Sequence, residues 1–380
     1  MHICFVTHEY PPLDTGGIGT SIRNLGRALV QSRHRVTVLG WGREACFDEQ
    51  GISVRFLKGP PIPKTGRAWM LLSLQREVNR LVSEESLDIV EAPDWGGMTA
   101  GMRPRCPLVI RCHGSGTFFG HLGHVPVPRL WRWAEKLALR SCDDVAAVSR
   151  YAGMLTTTLF QLRGEPRVVH NGLDLSAFTV PQEASRDPLT VLYLGSVIRK
   201  KGVLDLCQAF SRVLESVPDA RLVMVGRDCG DKLTGSRSTW ALCRDLFTPE
   251  ARSRTEYLGA QSYDTIQDYY RRATVCAFPS YAEALPMTWL EAMASGLPVV
   301  AYATGWAHEI IDNGESGVLV SEGDIPALAE NLAELLRSPR KRSLIAERAR
   351  LRVEERFSVE RVAAESLQWY RDVIEKEKRS

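Results

Sequence analysis

The chain reads as an α/β protein built from two doubly wound domains with parallel sheets. Three observations predict this. At 380 residues the chain is longer than one ordinary hydrophobic core supports. Short apolar runs alternate with helix-length stretches along most of its length. The alternation breaks in a turn-rich stretch near residues 171–188, NGLDLSAFTVPQEASRDP, and then restarts.

In the first half the apolar runs predict strands at residues 3–7, 35–40, 53–57, 89–92, 108–112, 145–148 and 168–170. Helices are expected between them, around 18–31, 68–83, 129–140 and 151–161. The second half repeats the pattern, with strands at 190–194, 221–225, 255–258, 275–278, 299–301 and 317–320. Beyond residue 324 the chain is helical and highly charged. Acidic residues interrupt its basic run, which reads as a solvated helix face and not a nucleic-acid patch.

Composition narrows the classes. Hydrophobic residues make up 44% and charged ones 24%, as in soluble globular proteins, and a net charge of +3 gives no case for nucleic acid. The N-terminal apolar run is shorter than a signal peptide needs, and nothing approaches the ~18 apolar residues of a membrane span. A cytoplasmic location is expected, with contact at the inner membrane face left open. The nine cysteines include no Cys-x2-Cys pair or zinc-like Cys/His cluster. They read as small buried hydrophobes in a reducing compartment, with no metal site.

The most informative stretch is AFPSYAEALPMTWLEAMASGLPVVAYATG, residues 277–305. A strand ends at Pro279 and Ser280, Pro286 suits the first turn of a helix over 286–295, and Gly296 suits its C-cap. Glu283 then precedes the helix and Glu291 lies within it. Eight positions of helix rise span about 12 Å, too far for the paired carboxylates of a glycosidase, which stand roughly 5–9.5 Å apart. The pair is better suited to gripping two ends of an extended, hydroxyl-rich ligand. The N–H groups of Ala284, Leu285 and Met287 would face its phosphate or sugar oxygens.

This segment resembles the donor-binding signature of the family-4 retaining glycosyltransferases, which have the GT-B fold. That fold comprises two Rossmann-like domains with an interdomain cleft. By resemblance Glu283 faces the donor sugar and Glu291 grips the nucleotide ribose. Ala284 and Leu285 replace the family's usual Gly and Phe. The resemblance extends over essentially the whole chain. It implies an acceptor-side domain at 1–175, a nucleotide-sugar domain at 176–357, and a helix at 358–380 packing back on the first.

The loop HEYPPLDTGGIGTSIRNLG follows the first strand. Gly16, Gly17 and Gly19 permit close backbone approach to a ligand, and the next helix offers its positive end. The dinucleotide fingerprint is excluded, because Ile22 stands where its third glycine belongs and Trp41 where an acidic residue would end the second strand. Family members use a Gly-Gly loop here against the donor's phosphates or sugar. His113 follows the strand at 108–112 in a glycine-rich loop, and the resemblance places it beside the donor sugar. His8 and Asp14 are the rival bases if the enzyme inverts.

Lys201 and Gly202 in LGSVIRKKG match the family's Lys-Gly, and Lys201 would stabilise the diphosphate leaving group. Ser196 stands where the family carries an arginine, so either Arg199 or Lys200 supplies the second charge from another position, or donor affinity or turnover is low. Asp94 and Trp95 resemble an acceptor-side turn, although Asp94 reads more simply as an N-cap for a helix at 96–100. Arg129, Arg132, Lys136 and Arg140 share a helical face beside Leu130, Trp133 and Leu137. That is either a half-buried helix with a solvated basic face or a contact for an anionic membrane.

The expected function is metal-independent, cofactor-free transfer of a sugar from a nucleotide-diphospho-sugar to a glycan or lipid-linked acceptor, with retention by front-face attack. A nucleotide-sugar epimerase, an inverting transferase and a catalytically weak binding subunit are the alternatives.

Overall fold

The computed structural model describes residues 1–13, 16–59, 66–181 and 186–379, apart from the side chains of residues 67 and 264. The chain forms two compact units, Met1–Leu173 with Ser358–Ser380, and Asp174–Phe357.

Eight strands make the sheet of the first unit. They are β1 (His2–Val6), β2 (Arg35–Gly42), β3 (Ala45–Glu49), β4 (Ile52–Lys58), β5 (Ile89–Pro93), β6 (Leu108–Cys112), β7 (Asp144–Ala147) and β8 (Arg167–Val168). Their order is β3-β4-β2-β1-β5-β6-β7-β8, parallel throughout except for the β3–β4 hairpin. The second unit holds β9 (Thr190–Leu194), β10 (Arg221–Val225), β11 (Thr255–Tyr257), β12 (Val275–Phe278), β13 (Val299–Tyr302) and β14 (Val318–Val320). Its order is β11-β10-β9-β12-β13-β14, all parallel. In each sheet the winding direction reverses once, between β1 and β5 and between β9 and β12. Ligands of open α/β sheets bind outside the carboxyl ends of the strands at such a reversal.

Alternation along each strand sends side chains to opposite faces, and both faces are covered. Ile3 and Phe5 pack with the helix Gly17–Gln31 and the C-terminal helix Val359–Arg379, while Cys4 and Val6 pack with the helix Gly66–Glu85. The C-terminal helix is fastened by a buried network. Arg111 on β6 donates from Nη2 to Glu91 on β5 at 2.9 Å, and its Nε stands 2.9 Å from the other carboxylate oxygen of that ion pair. The same guanidinium donates to Ser366 at 2.9 Å and lies 5.7 Å from the Trp369 ring, and Tyr370 donates its hydroxyl to Glu91. The chain leaves this unit at Leu173 and re-enters beside the same point, where the Val359 N–H donates to the Leu173 carbonyl at 3.0 Å.

An edge strand and a short helix are among the elements that differ from expectation. The β3 edge strand alternates half-buried and exposed residues and carries too few apolar side chains to stand out. The helix Gly116–Leu122 lies in a stretch read as a glycine-rich loop, and Ser115 caps it by accepting the Phe118 N–H at 3.1 Å.

Candidate functional site

In the second unit two loops meet at the reversal between β9 and β12. After β9 the chain makes a tight turn at Arg199–Lys201 and enters the helix Val203–Ser216 through Gly202, whose φ is +67°. A side chain here would be strained, and its Cβ would lie 1.8 Å from the Pro279 carbonyl oxygen. The Tyr281 N–H donates to the Lys200 carbonyl at 2.9 Å, so the loops after β9 and β12 are joined by backbone. Lys201 Nζ forms an ion pair with Glu283 across this junction, with the side chains 19% and 10% exposed.

The helix that follows runs Met287–Ala294, one residue shorter at each end than expected. Pro286 is its N-cap in an extended conformation and Ser295 its C-cap, with Gly296 beyond at φ +66°. Ala284 and Leu285 are buried in the preceding loop. Glu291 is 3% exposed, and Tyr270 donates its hydroxyl to Oε2 at 2.9 Å. Burial pushes the Glu291 carboxyl up to about 7, with Tyr270, Tyr263 and Lys201 opposing it.

Of the two other cations of this turn, Arg199 is engaged by a carboxylate and Lys200 is partly desolvated. Arg199 forks onto Asp231 through Nε at 2.9 Å and Nη2 at 2.8 Å, which holds the Asp231 carboxyl well below the usual range. Lys200 is half-buried, and desolvation lowers its pKa. Ser196 offers its carbonyl to the Tyr193 hydroxyl at 2.7 Å.

In the first unit, the reversal between β1 and β5 gathers His8, Asp94 and Trp95. Asp94 is fully buried and makes no cap bond, and the segment after it is a single tight turn, Trp95–Gly97. The N-cap reading of Asp94 is therefore corrected. Its Oδ1 accepts the His113 backbone N–H at 2.9 Å, tying the loop after β5 to the loop after β6. Burial, with the Glu135 charge adding to it, pushes the Asp94 carboxyl up to about 7. Burial and Arg111 lower His113 to about 3, so its imidazole is neutral at physiological pH.

Trp95 stacks on His8 at 6.4 Å and 16°, and meets Phe119 at 6.4 Å and Trp131 edge-on at 6.3 Å. Gly16 caps the helix Gly17–Gln31 in extended backbone, and the space beside Gly17 is open. Glu9 accepts the Gly19 N–H at 2.9 Å, so a carboxylate already stands at the helix end where the resemblance puts phosphates. Asp14 lies outside the described residues.

The helix Arg129–Ser141 buries Ala134, Glu135, Ala138 and Leu139 against the unit. Leu130 and Trp133 are not on that buried face; they are 65% and 59% exposed, among the basic residues. A cavity of about 570 Å³ lined by Arg140, Asp144, Arg163 and Lys376 opens beside the start of β7, the opposite sheet edge from His113. Among the described residues, Arg140 reaches it from the basic helix face, and none of the expected donor-binding residues lines it.

Sequence reasoning missed Tyr270, Asp231, Glu9 and Glu135, the partners of the motif residues. Their own signal in the sequence is weak, because each is an ordinary polar residue far along the chain from the group it serves.

Comparison with known proteins agrees with this architecture. Residues 15–177 match the model described as Glycosyltransferase Family 4, and residues 178–352 that described as Glycosyl transferases group 1. The chain belongs to this glycosyltransferase family and has its GT-B fold. It is 26% identical to the glycogen synthase of Mycobacterium tuberculosis over 97% of this chain and 94% of that one. The sucrose-phosphate synthase of Thermosynechococcus elongatus superposes with a TM-score of 0.80 at 21% identity over 99% of both chains. Anabaena HepE, solved in complex with UDP-glucose, superposes with a TM-score of 0.72 at 19% identity, covering 97% of this chain and 99% of that one.

Proposed function

We propose that the protein is a retaining glycosyltransferase that moves a sugar from a nucleotide-diphospho-sugar to an acceptor hydroxyl without a metal ion. The single observation that carries this reading is the Lys201–Glu283 pair with Glu291 at the sheet reversal of the second unit. Glu291 accepts the ribose hydroxyls. Lys201 exchanges part of its contact with Glu283 for the diphosphate, whose charge grows as the sugar leaves. Glu283, Ala284 and Leu285 line the sugar; the resemblance also gives Gly16 and Gly17 a donor contact, at a helix end where Glu9 accepts the Gly19 N–H. Arg199 acts through its pair with Asp231, by holding the turn that carries Lys201.

His113 contributes hydrogen bonding to the sugar. A group with a pKa of about 3 is too weak a base to deprotonate an alcohol. That removes His113 as the base of an inverting mechanism, for which His8 and Asp14 remain the rivals; in front-face attack the leaving phosphate takes the acceptor proton. Asp94 and Trp95 belong to the acceptor side, and the aromatic cluster around Trp95 suits the apolar faces of a glycan. The exposed Leu130 and Trp133 among basic residues suit a lipid-linked acceptor at an anionic membrane, which flotation with anionic vesicles tests. Cell-surface polysaccharide or glycoconjugate assembly in the cytoplasm is the setting that joins these features.

Thermal unfolding with UDP, GDP, ADP and their sugar conjugates in the presence of EDTA tests the donor site. A nucleotide at 100 times its Kd stabilises by about 2.7 kcal/mol. The expected result is one responsive base, with the response lost in Glu291→Ala. Nucleotide release without a metal and retained anomeric configuration in the product would establish the reaction. Binding without release would favour the weak binding subunit, for which Ser196 and the engagement of Arg199 speak.

A further inference from the structure

We propose that Glu135 is a positioning residue that locks the loop Asp94–Gly97 and the loop His113–Thr117 into one arrangement, so that Trp95 and His113 are presented to substrate together. The inference rests on the reading that these two side chains serve the transfer.

The Glu135 carboxylate is fully buried in the helix Arg129–Ser141 and fully used. Oε1 accepts the Gly96 N–H at 3.1 Å and the Gly116 N–H at 2.8 Å. Oε2 accepts the Thr117 N–H at 3.1 Å and the Thr117 hydroxyl at 2.5 Å. Among the described residues no cation is paired with it, so these four donors alone offset the cost of burying its charge. One donor comes from the loop after β5 and three from the loop after β6.

Shape agrees with the hydrogen bonding. Gly97 has φ +59°, and a Cβ there would lie 2.4 Å from the Ala134 carbonyl, so its backbone presses on the helix beside Glu135. A Cβ on Gly116 would lie 3.1 Å from Glu135 Oε1. The bond between the His113 N–H and Asp94 closes the same circuit from the sheet side.

Helix capping alone does not account for Glu135. Ser115 already caps the helix Gly116–Leu122, and the Gly96 N–H belongs to another loop. Because the carboxylate fills the start of that helix, the Gly116 and Thr117 amides are not offered to a phosphate. This sheet edge therefore presents side chains, His113 and Trp95, in place of bare N–H groups.

Glu135→Gln is the informative variant. Its amide NH2 must face either the Gly96 and Gly116 N–H donors or the Thr117 N–H, so bonds are lost whichever way it turns. Hydrogen exchange should quicken about tenfold or more in both segments 94–97 and 113–117, with β1, β5 and β6 still protected. Nucleotide release from a panel of UDP-glucose, GDP-mannose and ADP-glucose should show kcat down about 100-fold, with donor KM within about twofold. Should Glu135→Gln fail to fold, Thr117→Val removes one bond only and should loosen both segments to a lesser degree. Loosening of one segment alone, or of neither, overturns the coupling. Unchanged kcat with both segments loosened, or kcat and KM impaired together, overturns the positioning role. If the wild type releases no nucleotide from any donor, the transferase reading falls, and the exchange experiment still decides whether Glu135 couples the loops.

Discussion

Lys201 and Glu283 lie 82 residues apart in sequence, yet their side chains form an ion pair that ties the loop after β9 to the loop after β12. Both are mostly buried, so each charge depends on the other. Lys201→Ala leaves Glu283 without its cation, and a loss of about 2 kcal/mol in urea unfolding is expected, below the full cost for a wholly buried pair. Turnover should fall further than stability, by about 100- to 1,000-fold, because a charge that grows in the transition state loses its partner. Near-normal turnover in Lys201→Ala would remove this residue from the leaving-group role.

Glu291 makes stability depend on pH. Its folded pKa of about 7 lies above the unfolded 4.5, so between those values the folded chain keeps a proton that the unfolded chain has lost. Its contribution is complete below pH 4.5 and declines as pH rises, by about 3 kcal/mol, levelling above pH 7. Asp94 shifts in the same direction, so the test is the difference between wild type and Glu291→Gln. Chemical unfolding from pH 4.5 to 8 should show a flatter profile in the variant.

The same ionisation bears on binding. Ionised Glu291 is the better acceptor for ribose hydroxyls, so UDP affinity should strengthen as pH passes through about 7. Calorimetric titration at several pH values should lose that dependence in Glu291→Gln. A parallel dependence in the variant would put the titrating group elsewhere.

Gly202→Ala combines a left-handed backbone position with a collision against the Pro279 carbonyl. Strain and overpacking together should cost about 3 kcal/mol, read as a lower Tm. Since the displaced loops carry Lys201 and Glu283, nucleotide stabilisation should weaken as well.

In the first unit, Glu91→Gln removes the charge opposite Arg111. A loss of about 3–5 kcal/mol is expected for a guanidinium left buried without its counterion. Arg111→Met combined with Glu91→Leu should recover most of it. Denaturant unfolding of the single and double variants distinguishes this from simple loss of packing.

The sheets were legible because parallel strands are short apolar runs and helices fill the gaps between them. Boundaries moved by a residue or two, and β9, β10 and β12 coincide with their apolar runs. β3 was not legible, since its residues alternate half-buried and exposed and leave no apolar run. Of the candidate site, Glu283, Glu291, Lys201 and His113 stood out by motif. What holds them did not: Asp231 on Arg199, Tyr270 on Glu291 and Glu135 on two loops are pairings made by folding. Asp94 misled for the same reason, because its partner is a backbone N–H 19 residues away.

The return of the chain to its first unit has a consequence for synthesis. Arg111 and Ser366 are 255 residues apart. At roughly 5–20 residues per second, the ribosome makes Arg111 about 10–50 s before the helix that covers it. During that interval the sheet face that will seat Trp369 and Tyr370 is bare, and the second unit has time to fold. The first unit is thus begun first and finished last. Until then its open sheet face is exposed to aggregation and to capture by chaperones.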